Sequence, residues 1–125
     1  MHEIHDRLDK GIKPERIILA GFSQGGAVAY HTALTYPKKL GGLLGLSTYF
    51  PIADSIKRDT MNQNIPILVC HGTYDQMVLK EQGERTNKQL IDFGYQTEFK
   101  LYPMEHEICL QEVADISAFI QKRLL

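Results

Sequence analysis

The sequence predicts an α/β fold, in which a parallel sheet of about four strands carries helices on its faces. Short, continuous apolar runs, typical of strands buried on both faces, alternate with longer segments of helical periodicity. The 125 residues contain no linker, low-complexity tract or internal repeat. We therefore expect a single domain over residues 1–125, with right-handed crossovers between parallel strands.

Four apolar runs are predicted to form the strands. The glycines of the second run weaken its strand character, and Pro66 is tolerable only at the beginning of the third because proline has no N–H. The predicted strands are Arg16–Ala20, Gly41–Leu46, Ile65–Cys70 and Tyr95–Tyr102.

Helical spacing and end signals predict four helices. The polar segment Met1–Lys10 ends at Gly11, and an alanine-rich segment runs from Gln24 to Tyr36, just before Pro37. Apolar or small residues at helical spacing mark one face of each later helix: Leu79, Gly83, Thr86, Leu90 and Phe93, then Leu110, Val113, Ser117, Ile120 and Leu124.

Composition excludes several classes of protein. A formal net charge of -1 without a basic cluster argues against a nucleic-acid-binding protein. No run approaches the ~18 apolar residues of a membrane-spanning helix, and the polar start is not a signal peptide. Two cysteines, Cys70 and Cys109, are too few for a disulfide scaffold. We therefore expect a cytoplasmic protein.

The residues that indicate chemistry lie where the first strand meets the second helix. Gly21-Phe22-Ser23-Gln24-Gly25 is a G-x-S-x-G sequence, and in this context it is typical of a nucleophile elbow. The tight turn requires Gly21 and Gly25, raises the Ser23 hydroxyl above the sheet, and directs the backbone N–H of Gln24 toward an oxyanion. A glycine-rich turn with an incidental serine is the alternative interpretation.

A serine nucleophile needs a base and an orienting acid, and two loops after later strands supply candidates. Asp75 follows the strand ending at Cys70, and His106 follows the strand ending at Tyr102. A nucleophile elbow is followed along the chain first by the acid and then by the histidine, and Asp75 and His106 have this order. His106 would accept the Ser23 proton and Asp75 would orient its ring. A turn-forming aspartate and an exposed loop histidine are the alternatives.

Other histidines are weaker candidates. His31 lies mid-helix, and His71 follows a buried strand, so that we interpret it as a structural loop residue. His2 and His5 have the i,i+3 spacing of a metal clip, although a solvated, frayed helix end explains them more simply. No metal site is predicted.

The chain resembles the phospholipase/carboxylesterase family of α/β-hydrolases, which includes acyl-protein thioesterases. The matching segments are RIILAGFSQGGAVA (16–29), LSTYFP (46–51), PILVCHGTYD (66–75) and YPMEH (102–106). The resemblance implies hydrolysis of carboxylic esters, of lysophospholipid-like esters or of thioester-linked acyl groups on proteins, with no cofactor. It implies Ser23, Asp75 and His106 as the catalytic triad and Gln24 as an oxyanion donor.

Substrate contacts and partners are also implied. By the resemblance, Thr48, Tyr49, Phe50 and Met77 help to line the acyl pocket, although an apolar loop packing on itself is an alternative. Family members are nearly twice this length, so the resemblance implies a partial α/β-hydrolase fold without its amino-terminal strands and second oxyanion N–H. The alternative function is a non-catalytic half-domain that self-associates as a homodimer or needs the missing amino-terminal half.

Overall fold

A computed structural model describes residues 11–50 and 56–124. It contains four strands, β1 (Ile18–Phe22), β2 (Gly42–Leu46), β3 (Ile67–Gly72) and β4 (Thr97–Tyr102). Three helices accompany them, α1 (Gln24–Thr35), α2 (Lys80–Asp92) and α3 (Leu110–Leu124), with short 3-10 helices at Pro14–Arg16 and Thr60–Asn62. The helix predicted over residues 1–10, with His2 and His5, lies outside the described residues.

The four strands form one parallel sheet in the order β1-β2-β3-β4. Leu43 in β2 pairs with Leu19 on one side and with Ile67 on the other. The predicted parallel sheet of four strands is therefore confirmed. Because every strand points the same way, the loops after all four strands meet at one edge of the sheet.

Two apolar clusters cover the two faces of the sheet. The first, between the sheet and the helices α1 and α2, contains Tyr30, Leu34 and Leu90. The second, between the sheet and α3, contains Leu44, Leu68 and Phe119. Helices therefore cover both faces, as the alternation of strands and helices predicts.

Two glycines of β2 allow these helices to approach the sheet closely. A side chain at Gly45 would overlap the ring of Tyr30, and one at Gly42 would reach within 3.0 Å of the Phe119 ring. The glycines that weaken the strand prediction thus give space to aromatic side chains from α1 and α3.

The burial of β1 differs from the prediction of a strand buried on both faces. Ala20 and Phe22 are exposed, and Ile18 and Leu19 are only partly buried. The reason is that β1 lies at the edge of the sheet and, among the described residues, pairs only with β2.

The prediction for the buried face of α3 is wrong at Leu110 and Val113, although Ile120 packs against the second cluster as predicted. Leu110 is 89% exposed and Val113 is 50% exposed, whereas Glu112 and Phe119 are buried. The Phe119 ring lies over Gly42, so the face that α3 turns toward the sheet is centred on Phe119 and not on Leu110 and Val113. In the described ranges, no helix has both the length and the apolar character needed to cross a bilayer.

Candidate active site

Ser23 occupies the turn between the end of β1 and the start of α1. Its backbone has φ 56° and ψ -125°, and a positive φ is rare for a residue with a side chain. The Ser23 N–H donates to the carbonyl of Leu46 over 3.0 Å, and the Thr48 hydroxyl donates to the Ser23 carbonyl. Contacts with β2 and with the segment after it therefore hold the strained turn.

Glycines around Ser23 allow the strand and helix to meet at this turn. A Cβ at Gly21 would overlap the backbone of Gly25, and a Cβ at Gly26 would overlap the side chain of Thr48. Gly25, which the motif also predicts to be required, has open space at its Cβ position. Close packing therefore explains Gly21 and Gly26 but not Gly25.

Asp75 and His106 lie in two loops that are tied together. The ladder between β3 and β4 continues past both strands, because Thr73 N–H donates to the Tyr102 carbonyl at 2.8 Å and Tyr74 N–H to the Met104 carbonyl at 3.0 Å. These bonds fix the loop that carries Asp75 beside the loop that carries His106. Both loops lie at the sheet edge that carries the serine.

The three side chains form a continuous hydrogen-bonded chain. Ser23 Oγ lies 3.2 Å from His106 Nε2, and His106 Nδ1 lies 2.7 Å from Asp75 Oδ2. A carboxylate only accepts hydrogen bonds, so the proton of a neutral His106 ring belongs on Nδ1. The lone pair of Nε2 then faces the serine hydroxyl, which is the arrangement that a general base needs.

Asp75 is held as a carboxylate. Burial of this side chain opposes ionisation, but the hydrogen bond from His106 and the backbone N–H groups of Val78 and Met77 outweigh it, and together they lower the pKa of Asp75. Both N–H groups donate to Oδ1 at 2.9 Å, which leaves Oδ2 to His106. The two oxygens therefore have separate tasks, one anchoring the loop and the other facing the imidazole.

Phe22 and Gln24, on either side of the serine, also shape the site. The Phe22 ring packs against the His106 ring with 4.7 Å between centroids, so it limits the freedom of the imidazole. Gln24 opens α1, and its backbone N–H belongs to the first turn, where N–H groups have no acceptor within the helix. A helix N-terminus favours negative charge.

The residues proposed for the acyl pocket have different environments. Thr48 and Phe50 are buried, Thr48 under the serine turn and Phe50 stacked on Tyr30 with 5.3 Å between ring centroids. Tyr49 is partly buried, and Met77 is 78% exposed. A cavity of about 170 Å³ is lined by Tyr49, Phe50, Gln82, Arg85, Thr86 and Gln89. A role of these residues in acyl binding stays a prediction.

His71 was predicted to follow a strand, as a structural loop residue, and that position is wrong. It lies within β3, is fully buried, and contacts the loop that carries Asp75. Cys70, its neighbour, belongs to the opposite face of the sheet, as strand alternation predicts. His31 is exposed on α1. Within the described residues there is no group of three or more side chains that could bind a metal ion.

Comparisons with known proteins agree with this architecture. The family model described as phospholipase/carboxylesterase matches residues 2–124. The chain is 40% identical over 126 residues to acyl-protein thioesterase 1 of Gibberella zeae, covering 97% of this chain and 54% of that protein. It is 39% identical over 128 residues to carboxylesterase SOBER1 of Arabidopsis thaliana, covering 99% of this chain and 56% of that protein.

Solved structures show the same relationship. The crystal structure of Arabidopsis thaliana SOBER1 superposes with a TM-score of 0.91 at 36% identity, covering 99% of this chain and 60% of that one. The chain thus spans a little over half the length of the relatives that it matches, and its sheet is a partial α/β-hydrolase fold. The extent of the family match and the shared fold show that this chain belongs to the phospholipase/carboxylesterase family.

Proposed function

We propose that this chain carries the nucleophile, base and orienting acid of a serine hydrolase that cleaves carboxylic esters or thioesters. The observation that supports the proposal is the chain of hydrogen bonds from Ser23 through His106 to Asp75, with distances of 3.2 Å and 2.7 Å. Membership of a family whose members are named thioesterases and carboxylesterases points to the same chemistry.

The first half of the reaction acylates the serine. His106 Nε2 takes the hydroxyl proton as Ser23 Oγ bonds to the carbonyl carbon of the substrate, and the carbonyl oxygen becomes an oxyanion near the Gln24 N–H. When the tetrahedral intermediate collapses, the bond to the alkoxide or thiolate breaks, and Nε2 gives its proton to this leaving group. Asp75 stabilises the imidazolium while it exists.

The second half releases the acyl group. Water gives a proton to His106 Nε2 and attacks the acyl-enzyme, and collapse of the second tetrahedral intermediate frees a carboxylic acid and returns the proton to Ser23 Oγ. The same sequence of steps serves an oxygen ester, a lysophospholipid-like ester or an acyl group on a protein cysteine. No step requires a cofactor.

The acyl chain of the substrate needs an apolar surface beside the serine. Thr48, Tyr49 and Phe50 follow β2 at the active edge, and exposed Met77 follows Asp75. We propose that Tyr49 and Met77 contact the acyl chain, and that Thr48 and Phe50 support this surface from below. Hydrolysis rates across acyl esters of increasing length, compared between the wild-type chain and Met77→Ser, test this assignment, which requires the longer chains to lose most.

A fluorophosphonate probe tests the proposed nucleophile. The wild-type chain should be labelled, and Ser23→Ala and His106→Ala should lose labelling together with p-nitrophenyl acetate hydrolysis. Ser117→Ala is the matched control, because this serine is exposed on α3 and should leave both signals unchanged. Equal labelling of the wild-type and Ser23→Ala proteins would contradict the proposal.

The exposed edge of β1 favours a second candidate function, a half-domain that acts only with a partner. Among the described residues β1 pairs on one side alone, and its Ala20 and Phe22 side chains are exposed. Such an apolar edge pairs readily with another strand, either in a second copy of the chain or in an amino-terminal hydrolase half supplied in trans. A folded protein that resists labelling until that half is added would favour this candidate.

A further inference from the structure

The imidazole of His71 lies behind the loop that carries Asp75. This residue is fully buried in β3, where it pairs with Leu101 of β4. On its other side α2 approaches through Gly83, at which a Cβ would come within 2.5 Å of His71 Nδ1. A polar ring is thus enclosed at the base of the candidate active site, without access to solvent.

The hydrogen bonds of His71 determine which nitrogen carries its proton. Nε2 lies 2.7 Å from the carbonyl oxygen of Val78, which can only accept, so Nε2 is the protonated nitrogen. Nδ1 is buried and has no partner within the described residues. A proton on Nδ1 would create a buried N–H without an acceptor, which disfavours the other neutral tautomer.

The turn that His71 contacts is the one that orients Asp75. Val78 donates its N–H to Asp75 Oδ1 and accepts the His71 N–H at its own carbonyl. His71 Nε2 also lies 3.7 Å from Asp75 Oδ2, which is too far for a hydrogen bond. One ring therefore contacts the far end of the turn and faces the carboxylate oxygen that meets His106.

We propose that His71 is a positioning residue for Asp75, an inference that rests on the proposed hydrolase function. Its Nε2–H fixes the Val78 carbonyl and thereby the turn 75–78, so that Asp75 Oδ2 stays within hydrogen-bond reach of His106 Nδ1. Without this bond the turn is free to shift, and a displacement of about 1 Å in a catalytic group can reduce turnover about 100-fold.

Nuclear magnetic resonance of the 125-residue chain tests the proposal without relying on turnover. Nitrogen-15 spectra of the wild-type chain should show His71 with a proton on Nε2 and none on Nδ1. A downfield proton resonance should report the hydrogen bond between His106 Nδ1 and Asp75. His71→Leu should lose this resonance, whereas His71→Gln should keep it because its amide N–H₂ group still donates to Val78.

Kinetics provide the second measurement. His71→Leu should lower kcat roughly 10- to 100-fold with KM within about threefold, and His71→Gln should stay within about threefold of wild type in both. Val69→Ala is the matched control, because it removes buried packing from the same strand and face without touching the turn. It should lower thermal stability but keep both the downfield proton and kcat.

Several outcomes would overturn the role of His71. The first is a wild-type His71 ring that carries its proton on Nδ1. The second is a folded His71→Leu chain that keeps both the downfield resonance and kcat. The third is loss of this resonance in Val69→Ala or in a folded His71→Gln chain. If His71→Leu does not fold, the tautomer of the wild-type ring and the His71→Gln spectrum still decide. A chain that shows every resonance as expected but never reacts with the fluorophosphonate refutes the proposed function and leaves the role of His71 standing.

Discussion

Removal of the negative charge from Glu112 should stabilise this protein in a pH-dependent way. Glu112 lies in the first turn of α3 and is fully buried against the sheet. Within the described part of the chain, neither carboxylate oxygen makes a hydrogen bond. Burial raises the pKa of Glu112 to about 7 from 4.5, and the nearby backbone N–H of Cys109 offsets only part of that effect. The substitution Glu112→Gln keeps the shape and removes the ionisation.

The pKa difference sets the magnitude and the sign of the effect. The folded state binds the Glu112 proton more tightly than the unfolded state, so the protonated group supports folding fully below pH 4.5, and this support is lost as pH rises to about 7. Each pKa unit corresponds to about 1.4 kcal/mol. Ionisation of Glu112 should therefore lower the free energy of unfolding by roughly 3 kcal/mol above pH 7.

Urea unfolding at pH 5 and pH 8 measures this difference. Glu112→Gln should have a higher free energy of unfolding than the wild-type protein at pH 8. The difference between the two proteins should be about 2–3 kcal/mol larger at pH 8 than at pH 5, with the m-value unchanged. Glu84→Gln, which changes an exposed carboxylate on α2, serves as the control and should show no such dependence. A stability difference between Glu112→Gln and wild type that is the same at both pH values would refute the reasoning.

Three further substitutions test the site and the sheet edge. Asp75→Asn should lower kcat for p-nitrophenyl acetate about 10³- to 10⁴-fold, because the amide holds the wrong imidazole tautomer, and near wild-type kcat would contradict this. Gly26→Ala should cost roughly 1–3 kcal/mol in urea unfolding by crowding Thr48, whereas Gly25→Ala, with open space, should not. Ala20→Lys should reduce self-association through β1 in light scattering, and unchanged mass would argue against that edge as the interface.

The four strands of the sheet could be predicted because each contains a short apolar run. The residues at which the strands begin and end could not be predicted. All four strands begin one or two residues later than predicted, and β1 and β3 each run two residues further, to Phe22 and Gly72. The reason is long-range, because the ladder pairs Gly21 with Gly45 and Phe22 with Leu46, directly below the serine. A local apolar pattern contains no information about the partner that extends a strand.

The positions of Ser23, Asp75 and His106 were predictable for a related reason. The loops that follow parallel strands all lie at the same edge of the sheet. Residues that are far apart in sequence therefore come close together when each directly follows a strand. The groups that support them depend on contacts between elements. His71 meets Val78 across a loop, and the Thr48 hydroxyl meets the Ser23 carbonyl from the segment after β2. Neither contact can be predicted from the spacing of residues in the sequence.

In the proposed reaction, nucleophile activation and oxyanion stabilisation depend on different groups. The contacts that orient Ser23 and Asp75 come from described residues, namely Leu46, Thr48, His106 and the turn ending at Val78. A fluorophosphonate has a good leaving group in fluoride and needs only one attack by the proposed nucleophile, whereas ester turnover forms an oxyanion in both half-reactions, and each oxyanion donor is worth about 100- to 1,000-fold. The Gln24 N–H is the one donor that we assign among the described residues. Detectable labelling with slow turnover is therefore the expected behaviour, and fast turnover would indicate a second oxyanion donor within this chain.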